Sequence, residues 1–92
     1  KKTIDKYDER GNVIKLYYWN RHDKFATTIY YKYDENNNLI EESVYKEYGG
    51  TNLLYYTNDD RGNWIKKIDK LYDRKENFQN TTIYKRIIEY YD

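Results

Sequence analysis

The sequence predicts an all-β fold: an antiparallel meander of β-hairpin repeats, with about seven strands in a single curved sheet. Three observations favour this class. A short Asp-led motif recurs along the chain, residues that favour strands flank every copy, and the 92 residues include no proline. Consecutive strands joined by short loops usually pair with their neighbours, so a meander is the simplest arrangement.

The recurring motif is the strongest signal in the chain. Its copies are YDERGNVI at residues 7–14, YDENNNLI at 33–40 and NDDRGNWI at 58–65. The opening aspartates are 26 and then 25 residues apart, and self-similarity at a fixed period is typical of repeat proteins. We therefore treat residues 1–92 as one domain, with repeats of roughly 3–27, 28–53 and 54–80 and a partial repeat 81–92 that ends on Tyr91-Asp92.

Each copy of the motif predicts a hairpin turn. Asp at the first position of a type I turn accepts a hydrogen bond from the backbone N–H two residues further on. The fourth residue then takes the left-handed conformation, which glycine adopts freely and asparagine tolerates, and a three-residue hairpin loop with a bulge results. The predicted turn residues are Asp8, Gly11, Asp34, Asn37, Asp59 and Gly62.

The other elements follow from these turns. Strands are predicted at residues 2–7, 12–19, 27–33, 38–45, 53–57, 63–72 and 81–91, which are rich in aromatic and β-branched residues. Residues 20–24 form a polar reversal, 48–51 a glycine turn and 73–79 the longest loop. Ile65, Ile68 and Leu71 have near-helical spacing, but the repeat aligns their segment with the strand at 12–19, so a strand is expected there too.

The two faces of the sheet are both expected to be partly apolar. Alternation from the turns assigns one face Tyr7, Val13, Tyr17, Trp19, Ile29, Tyr31, Tyr33, Leu39, Tyr45, Trp64, Ile68 and Tyr72. The other is assigned Ile4, Ile14, Leu16, Tyr18, Tyr30, Ile40, Val44, Leu53, Tyr55, Ile65, Leu71, Ile88 and Tyr90. A single layer buries little apolar area, so we expect neighbouring repeats of a parent protein, or self-association through edge strands, to cover part of it.

Composition excludes several classes of protein. The formal net charge is +1, from 17 basic and 16 acidic residues, so the chain lacks the basic surface that nucleic acid or an anionic membrane requires. No apolar run approaches the ~20 residues of a membrane-spanning helix, and no membrane insertion is expected. There is no cysteine, and no initiator methionine; because both ends carry a Tyr-Asp pair, we expect the chain to be cut from a longer protein.

Residues able to support catalysis or metal binding are sparse. His22, the only histidine, lies beside Asp23 in a polar loop without the further ligands that a metal or catalytic site needs. Asp59-Asp60 and Glu41-Glu42 are better explained as a turn and an alternating strand than as a glycosidase pair or a calcium loop. We predict no enzymatic activity, no catalytic residue, no metal and no cofactor.

The feature that bears most on function is the high content of aromatic residues. Aromatic residues make up 20% of the chain, and 14 of them are tyrosines. A candidate surface for a sugar ring or a protein partner consists of Tyr17, Trp19, Tyr31, Tyr33 and Trp64, because aromatic rings offer flat apolar area at little entropic cost. The alternative is that these rings only hold the sheet together.

The motif resembles the YD-repeat (Rhs-type) family, and its Gly62-Asn63-Trp64-Ile65 form looks like versions common in Bacteroidetes surface proteins. The resemblance implies hairpins that coil side by side into an extended sheet, in long members a shell around a C-terminal domain. It also implies an extracellular, cell-surface or periplasmic protein, with carbohydrate binding described for relatives. The spacing here is longer than the family's, and Asn58 and Asn37 replace its usual tyrosine and glycine.

Three functions are compatible with these observations. The first is a structural or interaction repeat segment of a larger secreted or cell-surface protein, without enzymatic activity. The second is a carbohydrate-binding module with a Tyr/Trp surface. The third is a small immunity or adaptor protein that binds a toxin through an edge strand.

Overall fold

The computed structural model describes residues 2–20, 25–47 and 49–90, and these form one open, seven-stranded antiparallel sheet without a helix. The strands are β1 (Lys2–Tyr7), β2 (Val13–Asn20), β3 (Phe25–Tyr33), β4 (Leu39–Lys46), β5 (Thr51–Asn58), β6 (Trp64–Tyr72) and β7 (Phe78–Lys85). Their order in the sheet is their order in the chain. The predicted all-β meander is therefore confirmed.

The three Asp-led motifs lie at the β1–β2, β3–β4 and β5–β6 connections, and their backbone geometry is the same. In the first, the Asp8 N–H donates to the carbonyl of Asn12 at 2.8 Å and the Gly11 N–H donates to the carbonyl of Asp8 at 3.1 Å. The Asp8 carboxylate accepts from the backbone N–H groups of Arg10 and Asn12, both at 2.9 Å. At the position for which a left-handed residue is predicted, φ is 86° in Gly11, 66° in Asn37 and 81° in Gly62.

A fourth turn of this kind connects β6 to β7, where the sequence predicts the longest loop. The Asp73 N–H donates to the carbonyl of Asn77 at 2.9 Å, and the Asp73 carboxylate accepts from the N–H groups of Lys75 and Asn77. Glu76 takes the place of glycine, with φ of 65°. The predicted loop 73–79 is therefore wrong, since β7 begins at Phe78, and the predicted strand 81–91 is wrong at both ends.

Replacing the residue strained in this fourth turn should stabilise the protein. Glu76→Gly removes the side chain from a left-handed position, and we expect a net gain of about 0.5–1 kcal/mol in the free energy of unfolding after the added chain entropy of glycine. Gly11→Ala is the reverse control, because a Cβ at Gly11 meets nothing within 4 Å and only the φ of 86° opposes it. Urea denaturation should show opposite changes; the same sign for both would contradict this account.

The register assigns each side chain to a face. Paired residues point to the same side of a sheet, and Leu16 pairs with Ile29, which pairs with Val44. We call this the Leu16 face, and it also carries Ile14, Tyr31, Tyr33, Glu42, Asn52, Leu54, Tyr56, Asp69 and Leu71. The opposite Tyr30 face carries Lys15, Tyr17, Trp19, Ser43, Tyr45, Leu53, Tyr55, Ile68, Lys70 and Tyr72.

This register corrects the predicted faces. Tyr17 and Trp19 were expected beside Ile29, Tyr31 and Tyr33, yet the pairing of Leu16 with Ile29 puts the two groups on opposite sides. The β2–β3 connection sets this pairing, and a shift of one residue moves a whole strand's side chains to the other face. Turn chemistry is not recognisable in that connection, and residues 21–24 lie outside the described residues.

The sheet has almost no enclosed core. Among the described side chains Leu16, with 7% of its surface exposed, is the one buried hydrophobic residue. The molecule measures 48 × 33 × 23 Å, and a thickness of 23 Å exceeds the about 10 Å of a flat layer, as the twist and curvature of a seven-stranded sheet require. Stability must therefore come largely from contacts along the sheet.

Candidate functional site

The predicted aromatic surface does not form one platform. Tyr17 and Trp19 lie on the Tyr30 face, whereas Tyr31 and Tyr33 lie on the Leu16 face. Trp64 pairs with Asn58 at the turn end of the Leu16 face, so the two tryptophans are on opposite sides of the sheet. A ligand lying flat on the sheet cannot touch all five rings.

Trp64 is covered by cations rather than open. The Arg86 guanidinium lies 3.9 Å from its ring centroid and the Lys67 ammonium 5.3 Å from it. Such contacts are worth about 0.5–1 kcal/mol at exposed sites. They indicate that Trp64 holds the region after β7 against β6.

A repeated contact joins each hairpin to the one before it. The Tyr33 hydroxyl donates to the carbonyl of Val13 at 2.8 Å, and the Asn58 side-chain amide donates to the carbonyl of Leu39 at 3.0 Å. Arg86 Nε donates to the carbonyl of Trp64. The three acceptors are equivalent, since Val13, Leu39 and Trp64 are the first residues of β2, β4 and β6.

These carbonyls need side-chain donors because the ladder stops short of them. Pairing of β2 with β3 ends at Lys15 and Tyr30, and pairing of β4 with β5 ends at Glu41 and Tyr55. A carbonyl left without a partner in a partly buried position costs about 1–3 kcal/mol. We call the three bonds the carbonyl bridges. The motif contains their donors at Tyr33 and Asn58, but only the geometry shows what the donors bind.

The turns also contact one another. Arg10, in the first turn, donates from its guanidinium to the carbonyl of Glu35 at 2.7 Å and to the side-chain oxygen of Asn37 at 3.1 Å. The Asn12 amide donates to the same Asn37 oxygen at 2.9 Å. The second turn meets the third at Asn38, whose side-chain oxygen would lie 2.6 Å from a Cβ placed on Gly62.

The third turn repeats this pattern with a different partner. Asn63, equivalent to Asn12, donates to the hydroxyl of Tyr90 at 2.8 Å, and Arg61, equivalent to Arg10, lies 3.9 Å from the Tyr90 ring centroid. The Tyr90 hydroxyl donates to the carboxylate of Asp59. We call the contacts among the three turns and Tyr90 the turn ladder. The recurrence of Arg and Asn two positions apart in the motif is the sequence signal that could have revealed it.

Hydrogen bonds lower the pKa of the turn carboxylates. In Asp8, Asp34 and Asp73 the largest cause is the bond from the backbone N–H four residues ahead, as from Asn12 to Asp8. The pKa of Asp59 is lowered first by the hydroxyl of Tyr90 and then by backbone N–H groups. The hydrogen bonds that hold each turn are therefore strongest when its carboxylate is ionised.

This predicts loss of stability in acid. Because the folded-state pKa of these aspartates lies below the ordinary 3.8, their contribution is complete above that pH and declines as the pH falls through the folded value. Asp34→Asn keeps an acceptor but no titrating group, so stability measured by urea from pH about 5 to about 2 should fall less steeply than in the wild type. A slope in Asp34→Asn as steep as that of the wild type would refute the turn-specific cause.

A second set of polar groups lies on the Leu16 face. The Tyr56 hydroxyl donates to the carboxylate of Glu42 at 3.1 Å, and burial, followed by the charge of Glu42, raises the pKa of Tyr56 and of Tyr31. Nearby, Asn52 donates to Asp69 at 2.9 Å. Both tyrosines are held neutral, and Tyr56 is a donor to the Glu42 carboxylate.

Two open grooves lie on either side of the second turn. The first, of about 570 Å³, separates the first two turns and contains Tyr31, Tyr33, Arg10 and Lys32 together with the carboxylates of Glu9 and Glu35. The second, of about 610 Å³, is lined by Asn36, Tyr56, Asn58, Asp59 and Asp60. They form at the places where neighbouring hairpins diverge.

The described part of the chain contains no cluster of side chains suited to a metal ion. Residues 2–20, 25–47 and 49–90 contain no group of three or more His, Asp or Glu side chains that could hold a metal ion. The carboxylate of Glu41, on β4, lies 3.5 Å from the ammonium of Lys32, on β3. Glu42 faces the other way, towards Tyr56. His22 and Asp23 lie outside the described residues.

Comparisons with family models, curated proteins and solved structures found no match for the chain. Across the residues that the structure describes, no helix has the length and apolar character to cross a membrane.

Proposed function

We propose that this chain is a structural and interaction repeat segment of a larger secreted or cell-surface protein, and that it performs no catalysis. Its role is to form a sheet in which each hairpin contacts the next, and which associates with neighbouring repeats of the parent protein. The location outside the cell rests on the resemblance to YD repeats.

The carbonyl bridges are the observation that carries this proposal. At the same position of successive hairpins, a side chain reaches back to the first residue of the preceding repeat, although that side chain is Tyr33 in one case and Asn58 in the next. The turn ladder adds a second line of contacts between the same neighbours. Such nearest-neighbour contacts are how repeat proteins obtain their stability.

The scarce core supports the same function. One buried hydrophobic side chain among those described cannot by itself offset the entropy of ordering a chain of this size. Large apolar side chains remain exposed on β7, including Phe78 at 56% and Ile83 at 54%. A sheet of this kind is stabilised further when more hairpins or a partner extend it.

Extension of the array tests the proposal. Inserting a second copy of the 25 residues 34–58 between residues 58 and 59 adds one motif turn and one carbonyl bridge, from the inserted Asn58 to the inserted Leu39. We expect the longer chain to remain all-β by circular dichroism and to unfold at a higher temperature than the wild type.

The matched control inserts the same 25 residues in scrambled order, which keeps composition and length but removes the motif. It should lower the unfolding temperature, because it adds loop entropy without contacts. If the intact copy destabilises as much as the scrambled one, the hairpins do not act as repeat units and the proposal fails.

A second candidate, glycan binding, is favoured by the first groove alone. Tyr31 and Tyr33 present aromatic surface there beside several acidic residues and Arg10, a combination suited to stacking and bonding a sugar. Glycan-array binding that is lost in Tyr31→Ala and kept in Trp19→Ala, which changes the other face, would support it. Binding that depends on Trp19 instead would contradict this placement of the site.

A further inference from the structure

The two edges of the sheet differ in a way that matters for association. β1 carries Lys2, Asp5 and Lys6, and its register shifts twice within Lys2–Tyr7, between Ile4 and Lys6 and again before Tyr7. Charges and bulges are the usual means of protecting an edge strand from pairing. β7, the last strand at the other edge, has an unbroken register from Leu71↔Asn80 to Lys66↔Lys85 and one charged residue, Lys85.

The outward backbone groups of β7 can be identified. The Arg86 N–H donates to the carbonyl of Ile65, so this is a hydrogen-bonded pair. In an antiparallel ladder such pairs alternate, and Tyr84 and Thr82 therefore direct their N–H and C=O towards β6. Thr81, Ile83 and Lys85 direct theirs away from the sheet, on the side where no described strand lies.

From this we infer that β7 pairs with β7 of a second copy of this chain, antiparallel and about a two-fold axis at Thr82, which joins two sheets into one of fourteen strands. The inference rests on the proposed function as an associating sheet. The occupant is a second copy because an antiparallel copy of β7 meets the outward N–H and C=O groups of Thr81 and Ile83 with outward groups of its own.

That register pairs outward-facing residues with outward-facing residues. Thr81 lies opposite the partner's Ile83, so this pair can exchange two backbone hydrogen bonds, while Gln79, at the register shift between Leu71 and Tyr72, lies opposite the partner's Lys85. Thr82 lies opposite its own copy in a non-hydrogen-bonded pair, where threonines contact favourably. A shift of two residues towards the carboxyl terminus shortens the facing segment from 79–85 to 81–85, and a shift of two the other way leaves Lys85 without a partner in Phe78–Lys85.

Charge supports the antiparallel arrangement. In this register each Lys85 faces residue 79 of the partner, six residues along the strand from the partner's Lys85. At the rise per residue of a strand, the two lysines are about 20 Å apart. A parallel pairing would set them side by side. The two faces of the joined sheet also match. Even-numbered residues of β7 lie opposite even-numbered residues of the partner, so the Leu16 face of one copy continues into the Leu16 face of the other.

A cross-link at the axis tests the register. The chain has no cysteine, so Thr82→Cys introduces a single thiol. In the proposed dimer the two Cα atoms lie about 4.5 Å apart, within the range that a disulfide requires. Mild oxidation should convert most of this variant to a covalent dimer, whereas Lys85→Cys, about 20 Å from its copy, should remain monomeric on a non-reducing gel. Equal cross-linking of both variants, or of neither, overturns the register.

The edge itself is tested by sedimentation over a concentration series. The wild type should reach twice the 11.5 kDa of one chain, and Thr81→Pro should halve that mass, because it removes an outward N–H without breaking a bond to β6. Thr81→Val keeps the N–H and should remain dimeric. A monomeric wild type, or a dimer that survives Thr81→Pro with an unchanged circular dichroism spectrum, overturns the inference.

Failure of the dimer is distinguishable from failure of the proposed function. A monomeric chain whose stability still rises with an inserted repeat would remain a structural repeat segment. A dimer whose stability falls with the inserted repeat would contradict the function and leave the β7 contact in place.

Discussion

Leu16→Ala should destabilise the protein more than truncation of any other described aliphatic side chain. Leu16 is 7% exposed on β2, between Ile29 on β3 and Ile4 on β1, with which it pairs. Truncation of a buried leucine costs about 2–5 kcal/mol. No second layer of described residues lies over this side chain, so none can move in to fill the space that the truncation leaves. We therefore expect a loss of stability in the upper part of that range.

The measurement is urea denaturation followed by far-ultraviolet circular dichroism. A loss of this size would take most of the stability of a domain with a margin of about 5–15 kcal/mol. Ile87→Ala is the aliphatic control, because Ile87 is 95% exposed, and its change should stay within about 0.5 kcal/mol. Similar effects of the two substitutions would show that the Leu16 face is not the core of the sheet.

Gly50→Ala should also be strongly destabilising, for a different reason. Gly50 precedes β5 and approaches the end of β6 so closely that a Cβ at this position would lie 1.8 Å from the backbone carbonyl oxygen of Tyr72 and 3.0 Å from its carbon. Backbone cannot yield as a flexible side chain can. The substitution must displace the start of β5 from its partner Tyr72, at a cost of about 1–3 kcal/mol, the upper part being expected here.

Gly49 provides the control for this prediction. A Cβ at Gly49 would lie 3.2 Å from the Cβ and the Cδ of Lys46, which requires a much smaller adjustment than a contact of 1.8 Å with backbone. Gly49→Ala should therefore change the unfolding temperature little, whereas Gly50→Ala should lower it by about 10–20 °C for a domain of this size. A larger effect at Gly49 than at Gly50 would show that the close approach to Tyr72 does not constrain the loop.

Local chemistry explains why so much of the fold is predictable from the sequence. A type I turn with a left-handed fourth residue needs only Asp8 and Gly11, so the three motifs place three connections without any knowledge of the rest of the chain. The fourth turn is hidden because Glu76 takes the left-handed position. Nothing in the residue type of Glu76 signals that conformation.

The faces and the inter-hairpin contacts were beyond such reasoning. Alternation within β2 puts Tyr17 on the side opposite Leu16, but whether Tyr31 shares a side with Tyr17 or with Leu16 depends on how β2 registers against β3. The carbonyl bridges use a phenol, an amide and a guanidinium for one task, so no residue pattern marks them. The five aromatic residues of the candidate surface are therefore divided between the two faces, which alternation within each strand could not show.

The acceptor of each carbonyl bridge is translated before its donor. At each junction the acceptor, such as Val13, precedes its donor, Tyr33, by about one repeat in the chain. A polypeptide leaving the ribosome exposes its amino-terminal part first. Every hairpin is therefore finished only after its successor has been translated, and the sheet should be completed from the amino terminus forward, each new hairpin closing the one already made.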